Sequence, residues 1–470
     1  MGLSRFYPHG VATAHVVGYV GRVSQRDLDA ETVPDPILQI PEFQIGKTGI
    51  EKASETDLRG QAGSRRIEVN AVGRVIRELD RTEGAEGDDL HLTLDLDLQH
   101  AALERLGEES AAAVLMDVRN GDLLALASSP TYDPNPFVLG ISHKDFNALR
   151  DDDHRPLHNK WASGMYPPGS TFKMIVALAA LEAGVVTSGE TVFCPGYTEL
   201  GKRKFHCWRR GGHGWVNLRR SIEQSCDVYF YEIAKRTGIE RIAEMSRRLG
   251  LGVDLGLPFT ALRSGLIPTK QWKLAIHEQD WLIGDTFNSG IGQGYVLATP
   301  LQLAVMTARM ASGKGLHPRL IRARAGQPEP VLEPLDLGIQ PRNMELIRRS
   351  MYDVVNSKNG TARRSRIAEQ ENAMAGKTGT SQVRNITQAE RERGVYRNED
   401  LPWHRRDHAL FVGFAPYRNP RYAVSVIVEH GGSGSKAAAP IARDILLRAL
   451  YGPRPPDRAY PAGQGPRVPT

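Results

Sequence analysis

The sequence predicts an α+β fold: a mostly antiparallel sheet flanked by helices, with a smaller N-terminal pedestal domain. Two strand pairs and the stretch between them carry that prediction. Ala112-Ala-Val-Leu-Met-Asp117 and Leu123-Leu-Ala-Leu-Ala-Ser128 are apolar runs split by Arg119-Asn-Gly-Asp122, the signature of a hairpin with an Asn-Gly turn. Ala409-Leu-Phe-Val-Gly-Phe414 and Tyr422-Ala-Val-Ser-Val-Ile-Val428 form a second pair across a Pro/Asn turn. The residues between the pairs are mainly helical in pattern, so strands from both ends of a domain enclose a helical middle.

Taken in order, residues 1–90 are rich in Gly, Arg and Glu and alternate short strands with turns. His15-Val-Val-Gly-Tyr-Val20 and Ile67-Glu-Val-Asn-Ala-Val72 read as strands within this pedestal. Thr93-Leu-Asp-Leu-Asp-Leu98 leads into a helix over 99–106, and Asp133-Pro-Asn-Pro136 closes the first hairpin. A helix follows Tyr166-Pro-Pro-Gly169, then a Gly-, Arg- and Cys-containing insert over 189–220, then a helix over 228–237. Thr299-Pro300 opens another, with proline at the first helical position. A terminal helix is expected over 438–450. A larger second domain is assigned to 91–451, and the proline-rich residues 452–470 are expected to be disordered.

Size and composition narrow the class. A chain of 470 residues exceeds one ordinary core and implies two or three domains. Apolar content of 40% with 24% charged residues describes a globular protein. The net charge of +6 is modest, and no aromatic-interleaved basic module accompanies it, so nucleic acid is excluded as a partner. No apolar run reaches the roughly 18 residues of a membrane span. Because the first residues read as mid-domain, a membrane anchor is expected to precede Met1.

Three motifs carry the chemistry. Ser170-Thr-Phe-Lys173 places a lysine one turn after a serine, on the same helix face. A hydroxyl becomes a nucleophile when such a group removes its proton. The prolines before it cannot be helix interior, so Ser170 opens the helix, where N–H groups and the positive helix end face the reacting oxygen. Lys173 lies in an apolar stretch and is expected to be buried. Ser225-Cys-Asp227 and Lys377-Thr-Gly-Thr380 follow in order, completing the Ser-x-x-Lys, Ser-x-Asn/Asp, Lys-Thr-Gly set of penicillin-binding proteins and β-lactamases. Asp227 would orient and charge-balance Lys173. Glycines at 376 and 379 would let a peptide backbone approach an edge strand. Lys377, Thr378 and Thr380 would bind a substrate carboxylate. The N–H groups of Ser170 and Thr380 are the expected oxyanion hole.

Two similar motifs are set aside. Lys47-Thr-Gly49 precedes the serine motif and belongs to the pedestal, so it is read as structural. Gly290-Ile-Gly-Gln-Gly294 has the wrong spacing for a dinucleotide loop.

All three cysteines, Cys194, Cys207 and Cys226, fall close together with His206 and His213. Three thiols cannot pair completely, whereas a tetrahedral zinc site uses all three plus one histidine. His213 is preferred, because His206 adjoins Cys207 and would be strained as a joint ligand. One disulfide with a spare thiol, or three unrelated thiols, are the alternatives.

These motifs and their surroundings closely resemble class B penicillin-binding proteins, over nearly the whole chain. His15-Val-Val-Gly-Tyr-Val-Gly21, Gly46-Lys-Thr-Gly-Ile-Glu51, Tyr166-Pro-Pro-Gly-Ser-Thr171, Ser225-Cys-Asp-Val-Tyr-Phe230, Gly290-Ile-Gly-Gln-Gly-Tyr295 and Gly376-Lys-Thr-Gly-Thr-Ser381 carry the likeness. Asp in the second motif resembles the elongation-specific subgroup. The resemblance implies a peptidoglycan D,D-transpeptidase acting on stem peptides and acylated by β-lactams. It implies a position on the periplasmic face of the inner membrane, beside a membrane glycan polymerase of the elongation machinery and a rod-shape scaffold protein. A metal near the second motif is also implied, with Cys207, His213 and Cys226 matching more clearly than Cys194. Rival activities are a D,D-carboxypeptidase, a β-lactam sensor and a β-lactamase; the last lacks a Glu-x-x-Leu-Asn type loop between the second and third motifs.

Overall fold

The two expected hairpins join edge to edge into one five-stranded sheet in the computed structural model, which describes residues 4–30, 35–40, 42–384, 386, 390 and 393–465. Its strands are β1 (Ala111–Asp117), β2 (Leu123–Ser129), β3 (Ala375–Ser381), β4 (His408–Ala415) and β5 (Tyr422–Val428). Their order is β3-β4-β5-β1-β2, and every pairing is antiparallel. The hairpins meet at β5 and β1, with Tyr422 opposite Asp117 and Val428 opposite Ala111. Every residue of these two central strands is buried, which explains why both read as unbroken apolar runs rather than alternating ones. The lysine motif forms a strand of its own, β3, at the open edge of the sheet, with Lys377 opposite Val412.

Helices cover the sheet. Helix α1 (Leu96–Leu106) is capped by Asp95, whose carboxylate accepts the Leu98 N–H at 3.0 Å, and packs on β2. Next come α2 (Lys173–Glu182), α3 (Asp227–Thr237), α4 (Pro300–Ser312), α5 (Pro341–Asn356) and α6 (Ala438–Tyr451). Helix α4 begins with a reciprocal capping box between Thr299 and Gln302, with Pro300 at the first position. It packs on β1, β4 and β5, and Ser425 of β5 donates to the Pro300 carbonyl at 2.6 Å. Helix α6 packs on β4, β5 and α1, while α5 packs on β3 and α2.

Three expectations change. His15–Val20 is not one strand: Gly10–Val17 is a helix with five buried residues, broken by Gly18 at φ +80°, and only Val20–Arg22 is extended. A run of Ala, Thr, His and Val fits either state, and burial against Gln99, whose amide donates to the Ala12 carbonyl at 2.8 Å, selects the helix. The strand expected over 67–72 ends at Val69, because Asn70–Gly73 turns back into Val75–Thr82. The tail over 452–470 is ordered in part within its described residues. Ala459 and Tyr460 are buried, Ala459 accepts the Ala368 N–H at 2.8 Å, and Arg443 lies over the Tyr460 ring. One aromatic anchor supplies the apolar contact that the prolines lack.

Candidate active site

A 3-10 turn, Gly169–Phe172, delivers Ser170 and runs directly into α2, so the serine does sit at a helix start. Thr171 and Phe172 are buried while Ser170 is partly open. Gly169 has φ +53°, and a Cβ there would lie 2.5 Å from the Thr380 carbonyl oxygen and 3.3 Å from the Thr380 nitrogen. The nucleophile turn and β3 therefore touch backbone to backbone, which only glycine allows. Gly379 adds to this, since a Cβ would meet Pro168 O and Thr171 Cγ2 at 3.0 Å. The neighbour admitted by that glycine is the chain's own nucleophile turn, not a peptide.

Lys173, the first residue of α2, is fully buried. Its Nζ donates to Asp227 Oδ1 at 2.7 Å, to the Ser225 carbonyl at 3.0 Å and to Ser225 Oγ at 3.3 Å. The Phe230 ring lies 5.4 Å away. None of these hydrogen bonds goes to Ser170, so in this geometry the lysine is held by the second motif and lies beside, not on, the first.

Ser225 has φ +57°, a left-handed conformation that costs a non-glycine residue about 1–2 kcal/mol. The cost is offset by the bond from Lys173 to its carbonyl and by the Cys226 N–H donating to Ser221 O at 2.9 Å. Asp227 opens α3, where the helix dipole favours a carboxylate. Burial raises its pKa above the usual value, and Lys173 offsets that only in part. Its second oxygen accepts the Trp208 backbone N–H at 2.8 Å.

Lys377 is also fully buried. Its Nζ donates to Ser225 Oγ at 2.9 Å and to the Thr378 carbonyl at 3.1 Å. Burial pushes its pKa well below the ordinary lysine value, and the Lys173 charge adds to the shift while Asp227 opposes it. Two amines thus share one serine hydroxyl. Thr378 Oγ1 lies 2.8 Å from Thr361 Oγ1, and Thr380 is the one exposed residue of β3. The Gln293 side-chain amide donates to the Thr380 carbonyl at 3.0 Å.

The three cysteines and His213 close into one cluster, all four donors within 4.8 Å of one another. His213 Nδ1 lies 3.7 Å from Cys194 Sγ and 3.5 Å from Cys207 Sγ. With Zn–S about 2.3 Å and Zn–N about 2.0–2.1 Å, a tetrahedron has S···N edges of about 3.6 Å, so the donor set is spaced for a metal. No disulfide forms among the thiols. Hydrogen bonds from Cys226, then from His213, lower the pKa of Cys194 and of Cys207 despite burial, while Cys226 is raised by its bonds to both. Burial alone would lower His213, but its bonds to the two sulfurs raise it. Two ribbons bring in Cys194, Cys207 and His213, Thr191–Cys194 paired with Gly214–Asn217 and Tyr197–Leu200 paired with Arg203–His206, while Cys226 caps the start of α3. Cys207 Sγ also accepts the Asp227 N–H at 3.4 Å, tying the cluster to the active site.

The structure thus gathers Lys173 and Lys377 around the Ser225 hydroxyl, with Asp227 on Lys173, next to the Ser170 turn. Trp208 and Thr361 complete the surroundings without any sequence signal that singled them out, and Gln293 comes from the Gly290–Gly294 segment set aside as a nucleotide loop. Comparison with known proteins agrees. Residues 111–447 match the penicillin binding protein transpeptidase domain, and residues 1–92 the penicillin-binding protein dimerisation domain. The chain belongs to the class B penicillin-binding proteins.

Relatives within this family are similar along nearly all of this chain. The peptidoglycan D,D-transpeptidase MrdA of Acinetobacter baumannii is 39% identical over 462 residues, 96% of this chain and 67% of that protein. MrdA of Escherichia coli is 39% identical over 457 residues, 95% of this chain and 71% of that one. Among solved structures, Pseudomonas aeruginosa PBP2 in complex with WCK 5153 superposes with a TM-score of 0.83 at 40% identity, covering 96% of this chain and 91% of that one. Helicobacter pylori PBP2 in complex with MreC gives 0.83 at 34% identity, covering 96% and 79%.

Proposed function

We propose that this class B penicillin-binding protein is a peptidoglycan D,D-transpeptidase that works through a Ser170 acyl-enzyme. The convergence of two buried lysines on the Ser225 hydroxyl, one of them paired with Asp227, beside the Ser170 turn, carries the reading. Ser170 Oγ attacks the carbonyl of the stem peptide's D-Ala-D-Ala bond, and its proton passes to Lys173. Lys173 then passes a proton to Ser225 Oγ as the Ser225 hydroxyl gives up its own, while Lys377, which burial favours in the neutral form, holds that hydroxyl in place. As the C–N bond breaks, the leaving D-Ala amine takes a proton back from Ser225. An acceptor amine then attacks the ester, the Ser170 C–O bond breaks, and the new peptide bond forms as Ser170 regains its proton.

The backbone N–H groups of Ser170 and Thr380 stabilise the oxyanion, and the Thr378 and Thr380 hydroxyls bind the substrate carboxylate. Lys377 faces Ser225 and supports proton movement more than carboxylate capture. A pedestal over 1–90 and a catalytic domain over 91–451 follow from the same reading. Zinc is the ion that suits Cys194, Cys207, His213 and Cys226, and it would fix the backbone of Ser225 and Asp227 from behind.

No helix of the described residues is long and apolar enough to cross a membrane. A place on the periplasmic face of the inner membrane is proposed from the likeness to the MrdA proteins. A rod-shape scaffold of the MreC kind is supported by the Helicobacter pylori complex, and a membrane glycan polymerase by a peptidoglycan synthase complex similar to this chain at TM-score 0.77 and 31% identity.

Intact-mass analysis after penicillin treatment, with peptide mapping, tests the reading. One adduct on Ser170 and transfer of a stem-peptide thioester to an added amine are expected. Acylation without turnover would indicate a sensor instead, and hydrolysis without transfer a carboxypeptidase.

A further inference from the structure

The glycine-rich segment Gly290-Ile-Gly-Gln-Gly294 is not a nucleotide loop, but it touches both halves of the oxyanion hole. The Gly292 carbonyl accepts the Gly169 N–H at 2.9 Å, one residue before the nucleophile. The next residue, Gln293, sends its side-chain amide to the Thr380 carbonyl at 3.0 Å. Gly292 has φ +70°, and a Cβ there would lie 2.2 Å from the Gly169 carbonyl oxygen, so its backbone lies directly against the nucleophile turn.

We propose that Gln293 is a positioning residue that sets the separation of the two oxyanion-hole donors; this rests on the transpeptidase reading above. The donors belong to separate elements, the 3-10 turn at Gly169–Phe172 and the edge strand β3. Apart from its contact with the nucleophile turn, this edge strand has no partner strand on its outer side among the described residues to fix it. Thr380 is the exposed residue of that strand, and its outward carbonyl is held by Gln293. Gly292 and Gln293 are consecutive, so one short piece of backbone grips the turn with a carbonyl and the strand with a side chain. A shift of about 1 Å between oxyanion donors is enough to cost on the order of a hundred-fold in rate. The Gln293 bond is already made without substrate, so the strut holds the strand edge before substrate arrives.

The test compares wild type with Gln293→Met, which keeps length and loses the donor, and with Gln293→Asn, which keeps the amide but falls one methylene short. Two probes are used: benzylpenicillin, which carries a side-chain amide, and a carbapenem, which carries none. The acylation rate constant should fall between about ten- and a hundred-fold for both probes in both variants, with the pre-covalent dissociation constant and the melting temperature little changed. A loss confined to benzylpenicillin binding would make Gln293 a substrate contact and overturn the strut. Wild-type acylation rates in Gln293→Met would also overturn it. Failure of the wild-type protein to acylate at Ser170 would instead refute the transpeptidase reading, which separates the two results. A variant with a lowered melting temperature is assayed below its transition, where the ratio between the two probes still decides.

Discussion

Lys377 Nζ lies 2.9 Å from Ser225 Oγ, closer than Lys173 Nζ at 3.3 Å to the same oxygen. The hydroxyl is therefore a bridge between two amines, one paired with a carboxylate and one not. That asymmetry gives the proton a direction. Lys173 has Asp227 to stabilise its charge, while Lys377 is buried with only a hydroxyl and a carbonyl.

Removing the nucleophile or its lysine should separate cleanly from removing the charge balance. Ser170→Ala should form no penicillin adduct by intact mass. Lys173→Ala should slow acylation by about three orders of magnitude or more, since one group takes the proton and holds Ser225. Asp227→Ala should cost less than Lys173→Ala. An adduct on Ser170→Ala, or a mild Lys173→Ala phenotype, would mean a different nucleophile or base.

The depressed pKa of Lys377 makes stability depend on pH. Between its folded value and the ordinary lysine value, the unfolded chain binds a proton that the folded chain does not. Stability therefore rises with pH across that window. Urea unfolding of wild type and Lys377→Met at pH 7 and pH 9 should show wild type gaining relative to the variant. A gap that stays constant would show that Lys377 is charged in the folded protein.

Much of this was legible because the signals are local. The hairpin turns, the proline after Thr299 and the apolar run of β5 each predict an element from adjacent residues, and each element is present. The residues of the three motifs were readable too, but their meeting at Ser225 Oγ was not. Hydrogen bonds between Lys173 and Ser225, or Gln293 and Thr380, span long stretches of chain and leave no period in the sequence. The pedestal helix at Gly10–Val17 was misread for a related reason, because tertiary burial rather than propensity decides it.

A buried carboxylate outside the reaction should matter for stability. Glu429 follows β5 and accepts from Arg155 at 2.5 Å and Tyr166 Oη at 2.9 Å, with Ser110 Oγ on its other oxygen. Burial opposes its charge, but the Ser110 bond, then Arg155 and Lys160, outweigh it and lower its pKa. Glu429→Ala leaves these donors unpaired and should cost about 3–5 kcal/mol in denaturant unfolding. For a lowered carboxylate, the contribution is present above the unfolded pKa and lost as pH falls through the folded one, so the gap to wild type should shrink in acid. A cost under about 1 kcal/mol would show that the cluster is hydrated.

The metal prediction reaches furthest into the active site. Cys226 lies between Ser225 and Asp227, and Cys207 Sγ accepts the Asp227 N–H, so an ion on these sulfurs braces two motif residues at once. Trp208 extends the brace: its N–H goes to Asp227, and its indole donates to the Gln224 carbonyl at 3.1 Å. The two strands that carry Cys194 and adjoin His213 are only four residues each, too short to be stable as an isolated ribbon. Besides an ion, strand hydrogen bonds, the buried Val216 and the Phe193–Trp215 ring contact hold them. Elemental analysis should find about one zinc per chain. Chelation should lower the melting temperature, expose three titratable thiols and slow penicillin acylation, and zinc should restore all three. Because thiolates are the ligands, zinc affinity should weaken as the solution is acidified. Metal-free protein with its full melting temperature and full acylation rate would show that the cluster stands on its own hydrogen bonds, and that Ser225 and Asp227 are held from the lysine side alone.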